Sequence, residues 1–164
     1  MLLSGQDRSD LFSKLPELVS LDLSHRQICD VELLINGGFL PLTGFLNQND
    51  YESVCHNMRL TSGELWPIPI TLDVSEKFAS STRIGQWIAL RDFEGFPLAV
   101  IEVESKWKPD KSQEARLVFG ADDIMHPAVN YLHNFAGDWY IGGKIFGLNL
   151  PKHYDYIQHR HTPN

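Results

Sequence analysis

Three things are scarce in this chain. No apolar run approaches the length that crosses a bilayer. The start, Met1-Leu2-Leu3, gives way at once to Gly5, Gln6, Asp7 and Arg8. That is too short and too polar for a secretory signal, so export is not expected and the expected compartment is the cytoplasm. Cysteine is limited to Cys29 and Cys55, with no Cys-x-x-Cys pair, which removes support for structural zinc and thioredoxin-type redox chemistry. Both are expected as buried, reduced thiols. Positive charge is also in short supply: 14 Lys and Arg stand against 21 Asp and Glu, a net charge of −7. Polyanion binding needs a basic surplus on one face, so nucleic acid is disfavoured, as is capture of small anions by this region alone.

What is present is the composition of one folded domain. The 164 residues suffice for a real core, and 43% hydrophobic with 21% charged residues is ordinary for a globular protein. Nine Pro and 12 Gly are spread along the chain, so no segment reads as a disordered linker. We find no internal repeat.

Periodicity sets an order of elements. Leu11 to Leu18 suggests a short helical turn interrupted at Pro16. Ser24 with Gln27 three residues later predicts a capping box. The helix it opens places Ile28, Val31, Leu34 and Ile35 on one stripe, and Gly37-Gly38 ends it. Phe39 to Leu46 is an apolar loop, too hydrophobic to lie fully in water. Asn49 with Glu52 predicts a second helix start, with Tyr51, Val54, Cys55 and Met58 inward. From Leu65 the period becomes two: Ile68, Ile70, Leu72 and Val74 predict a strand, with Pro67 and Pro69 near its entry. Gln86 to Arg91 and Leu98 to Trp107 predict two more strands joined at Asp92-Phe93-Glu94-Gly95 as a hairpin. A helix is expected around Gln113 to Val118, broken by Gly120, and another opens at Pro127. Asp138 to Leu148 is strand-like, and the tail after Pro151 is polar and rich in His. This mixture predicts an α+β domain with short helices around a curled sheet or small barrel.

Several residue groups invite chemistry, and each has a plainer structural account. Gly137 to Lys144 loosely suggests a phosphate loop, but Ile145 stands where a Ser or Thr should follow Lys144. Trp139, Tyr140 and Ile141 favour a bent strand. His153, His159 and His161 match no metal-ligand spacing, and His126 before Pro127 suits a cap or turn. Lys106-Trp107-Lys108-Pro109-Asp110-Lys111 mixes cations with an aromatic, yet Glu102, Glu104, Asp110 and Glu114 surround it, which favours a strand end. Arg26 and Asp30 suit an i,i+4 pair. Glu32 beside them could join an ion-pair network or face a neighbouring domain. Arg59 and Arg91 could face a site entrance as readily as make salt bridges.

One likeness orders these segments. Ser24, Arg26, Gln27, Asp30, Glu32, Leu33 and Leu34, then Phe39, Pro41, Leu42, Gly44 and Phe45, resemble the opening of the amino-terminal domain of the ATP sulfurylase family. Further matches are Tyr51, Met58-Arg59-Leu60, Leu65-Trp66-Pro67-Ile68-Pro69, Leu90-Arg91-Asp92 with Gly95, and Glu114-Ala115. Val118-Phe119-Gly120, His126-Pro127, Gly142-Gly143 and His153-Tyr154-Asp155 continue the series. Arg160, Thr162 and Pro163 resemble the segment leading into the family's catalytic domain. The resemblance runs from about Leu21 onward. It implies a PUA-like mixed β-barrel with short flanking helices over residues 1–164 as a single domain. It implies a parent enzyme that turns ATP and sulfate into adenosine 5′-phosphosulfate and pyrophosphate with magnesium, and that forms oligomers.

In that family the chemistry lies on Q-x-R-N and H-x-x-H segments of the following domain. Sulfate is a weak nucleophile attacking an anionic phosphate, so Arg and His donors must offset charge in the transition state. Neither motif occurs here: no two histidines stand three apart, and Gln158-His159-Arg160-His161 lacks the Asn. The expectation is therefore a non-catalytic domain, with no catalytic, cofactor-binding or metal-binding residue of its own, partnered by a catalytic domain encoded further along. A fused adenylylsulfate kinase beyond that domain is a variant of the same expectation. The alternative is a stand-alone PUA-like module that binds RNA or a protein partner.

Overall fold

The computed structural model describes residues 1–163. Six strands form one mixed sheet with five strands in the order β1-β4-β5-β6-β2, and β3 pairs off that path with β6. They are β1 (Val19–Asp22), β2 (Gly44–Phe45), β3 (Leu72–Val74), β4 (Trp87–Arg91), β5 (Pro97–Trp107) and β6 (Trp139–Gly147). The helices are α1 (Gly5–Lys14), α2 (His25–Asn36), α3 (Gln48–Asn57), α4 (Glu76–Ser81), α5 (Lys111–Glu114) and α6 (Pro127–Asn134). A π-helix at Ala115–Phe119 continues α5 without a break. The α+β class with short flanking helices is as expected, while the strand path has two ends, so the barrel is open.

The chain divides into two compact units. The first comprises Met1–Gly44, Gly85–Val103 and the residues from Gly143 onward. Here β1 runs parallel to β4, Val19 opposite Ile88 and Asp22 opposite Arg91. β4 runs antiparallel to β5, Ile88 opposite Ile101, with a register shift at Leu90/Arg91. Leu11, Leu15, Ala89, Val100 and Leu148 form a buried cluster, with Trp87 and Phe146 against it. Those two rings stack at 5.0 Å between centroids. Pro97 to Ile101 of β5 are all buried, as expected of strand residues covered on both faces.

The second unit comprises Phe45–Ile84 and Glu104–Gly142. β3 pairs antiparallel with β6, Leu72 opposite Ile141 and Val74 opposite Trp139. A small core of Ala115, Val129 and Leu132 receives Phe119 and Ala136. Gly142 is needed at its place in β6: a Cβ there would meet Leu46 O at 2.0 Å and Asn47 Cα at 2.7 Å.

Local signals of the sequence are realised at several element ends. Ser24 accepts from the Gln27 amide while the Gln27 side chain accepts from the Ser24 amide, the full capping box. Gly37 ends α2 at φ 88°, the left-handed residue that glycine adopts without steric cost. The β4–β5 turn is held by the Asp92 carboxylate, which accepts from the amides of Glu94 (3.0 Å) and Phe96 (2.8 Å).

Other expectations need correction. The first helix begins at Gly5, well before Leu11, and Pro16 lies in a 3-10 turn (Leu15–Glu17) after α1. The second helix is capped by Asn47, which accepts from the Asp50 amide, so Asn49 lies inside α3. Met58 is 57% exposed, because α3 ends there in a left-handed turn, φ 52°. The strand predicted from Leu65 is regular only over Leu72–Val74, since prolines at 67 and 69 cannot donate to a ladder.

Candidate functional site

The first unit carries a cleft of about 500 Å³. Its floor is one face of α2, where His25, Ile28, Cys29 and Glu32 follow one another at helical spacing. One wall is the β4–β5 turn, with Asp92, Phe93 and Glu94. The other is the segment from Pro151 to Asp155, with Arg160. The aromatic residues stand outward: Phe93 is 68% and Tyr154 75% exposed. Phe93 also meets the His25 ring at 5.3 Å.

Several polar groups of the cleft have partners, two pairs of them with each other. His153 Nε2 donates to the Glu32 carboxylate, 2.9 Å from each oxygen. Arg160 Nη2 donates to Asp155 at 3.0 Å, which holds that carboxyl below its usual range. Lys152 Nζ lies 5.3 Å from the centre of the Phe96 ring, within cation–π distance. Asp92 is engaged by its own turn. These contacts hold the β4–β5 turn and the segment after Pro151 in place around the cleft. Among the described residues no group of three or more His, Cys, Asp or Glu is placed to hold a metal ion.

A second polar centre is buried in the other unit. Glu114, 6% exposed, accepts from Tyr51 OH at 2.8 Å and from Tyr140 OH at 2.9 Å. Trp107 packs against both tyrosine rings, 5.4 and 5.7 Å between centroids. Burial, then the Glu114 charge, raises the Tyr51 phenol far above its usual range. Burial also lifts the Cys55 thiol from 9.0 to about 12, with Glu114 the next cause. Such a thiol is inert at neutral pH. In the sequence Glu114 stands among the acidic residues around the Lys106 run and in the Glu114-Ala115 match; nothing local marks a carboxylate whose partners lie 63 and 26 residues away.

The other residues singled out in the sequence have structural partners. Arg26 pairs with Asp30 at 2.7 Å. Arg59 donates to Gly63 O, and Arg91 to Ser20 Oγ and Gly95 O. Lys106 donates to the carbonyls of Ala79 and Thr82, and Lys111 to that of Ala136. Trp107 is buried. These two lysines and this ring serve the fold, while Lys108 between them is exposed. Gly137 to Lys144 enters β6, as the bent-strand account holds. His126 is the N-cap residue of α6 and stacks on Phe119 at 5.6 Å. His153 faces Glu32 and His159 lies beside Gln158. Cys29 corrects an expectation: it is exposed, on the cleft side of α2, while only Cys55 is buried. Its neighbours Ile28 and Val31 occupy the inward stripe.

Comparison with known proteins follows the same lines. Residues 1–150 match the family model described as a PUA-like domain. The sulfate adenylyltransferase of Candida albicans is 50% identical over 165 residues, covering 95% of this chain and 31% of the relative. That of Saccharomyces cerevisiae is 50% identical over 147 residues, 90% of this chain and 29% of the relative. That of Schizosaccharomyces pombe is 47% identical over 158 residues, 95% and 32%. The chain thus spans about a third of the length of these curated relatives. A solved structure titled hexameric APS kinase from Thiobacillus denitrificans superposes with a TM-score of 0.76 at 30% identity, over 99% of this chain and 27% of that one. On its sequence and its architecture alike, the chain belongs to the PUA-like domain family.

Proposed function

We propose that this chain is the non-catalytic amino-terminal portion of an ATP sulfurylase. Its longer protein would convert ATP and sulfate to adenosine 5′-phosphosulfate and pyrophosphate, using magnesium held elsewhere. The observation that carries this reading is the even likeness, near 50% over some 95% of the chain, to sulfate adenylyltransferases about three times as long. The missing Q-x-R-N and H-x-x-H segments agree with it. In this role the domain is a scaffold, partnered by a catalytic domain of the same polypeptide. Oligomerisation through the longer protein is part of the proposal, in keeping with the hexameric title of the structural neighbour. No helix among the described residues is long and apolar enough to cross a membrane, which fits the proposed cytoplasmic setting.

The test is pyrophosphate release from ATP and sulfate, measured for this chain alone and for the full-length protein. Turnover by the full-length protein and none by the chain is expected. Turnover by the chain alone overturns the non-catalytic reading, and silence of the full-length protein overturns the parent activity.

A further inference from the structure

The segment Pro151 to Tyr154 belongs to neither helix nor strand. No ladder fixes its course, so side chains must. The main contact is His153 Nε2 to both oxygens of Glu32, 121 residues apart in sequence. Both side chains are three-quarters covered, at 24% and 23% exposure, so the contact is less open to water and salt than a surface pair. Glu32 rides on α2, itself fixed by its capping box and by the buried stripe of Val31, Leu34 and Ile35. Immediately beyond, Tyr154 and Tyr156 are 75% and 77% exposed. An anchored helix and one two-pronged contact, followed by two exposed tyrosines and a 3-10 turn (Ile157–His159) that Arg160 ties back to Asp155, describe a strap that sets the direction of the polypeptide leaving the fold.

We propose that Glu32 and His153 are a positioning pair, which aims the polypeptide after Asp155 and thereby the reacting groups carried downstream. The proposal rests on the reading of this chain as part of a longer sulfate adenylyltransferase. Neither residue touches substrate. Their effect is geometric: a displacement of about 1 Å far from the chemistry can cost about 100-fold in rate.

The experiment uses the full-length protein as wild type, Glu32→Gln, His153→Gln and the double variant. Two readouts are taken: steady-state kinetics for ATP and sulfate, and the rate of chymotrypsin cleavage after Tyr154 and Tyr156. Each single variant is expected to lower kcat about tenfold with both KM values within about twofold, and to speed cleavage about tenfold. The double variant is expected to match the singles, because one contact is removed in all three, and Glu32→Asp is expected to restore part of kcat. Wild-type cleavage and kcat in both singles would overturn the proposal, as would effects that add in the double variant. A wild-type protein without sulfurylase activity would defeat the functional reading alone. The cleavage rates would still decide whether the pair holds the strap.

Discussion

Glu114 carries more of the second unit than its single charge suggests. Its Oε2 receives two phenol hydroxyls, and removing the acceptor leaves buried donors unsatisfied at about 1–3 kcal/mol each. Glu114→Ala should therefore destabilise by about 3–5 kcal/mol, read from the urea midpoint. Glu114→Gln keeps one acceptor oxygen and should cost less. The same centre predicts alkaline sensitivity. An unfolded Cys55 thiol loses its proton near pH 9.0, whereas the folded one keeps it until about 12. The stabilisation from the neutral thiol is thus whole below pH 9.0 and is lost as pH rises towards about 12. Tyr51, raised by burial and by Glu114, acts in the same direction above pH 10.0. Urea midpoints should fall between pH 8.5 and 11 by circular dichroism, and Cys55→Ala should reduce that fall.

At the level of elements, what was legible in the sequence is what is encoded within four residues. The Ser24 box, the Gly37 stop, the Asp92 turn and the helix start at Pro127 depend on neighbours alone. Ser24→Ala should cost about 1 kcal/mol. Elements with weak local signals escaped. β1 is four residues long and mostly exposed, so it shows no buried alternation; its pairing with β4 makes it a strand. The π-helix at Ala115–Phe119 was legible only as helix. Gly142 belongs to this scale too, because its need arises from the close approach of the backbone between β2 and α3. The backbone at Leu46 and Asn47 cannot swing aside as a side chain would. Gly142→Ala should cost about 3 kcal/mol, three times the loss of the cap, and a thermal melt of the two variants compares them.

For the molecule as a whole, charge and the use of its lysines argue together. A net charge of −7, with Lys106 and Lys111 donating to backbone carbonyls, leaves little for a phosphate backbone to engage. Fluorescence anisotropy with a labelled single-stranded or hairpin RNA should show no binding by the chain at micromolar concentration and physiological salt. Saturable binding there would favour the stand-alone module over the sulfurylase scaffold.

The order of sequence motifs by itself determined the family, the mixed class and the absence of the two sulfurylase catalytic motifs, because each is written in residue identity and short spacing. Tertiary structure alone decided that Cys29 is exposed, that Glu114 is buried between two tyrosines, and that Glu32 meets His153 across 121 residues. Side-chain reach along a helix ends at about four residues. Contacts made over longer separations exist only once the sheet has set where each element lies.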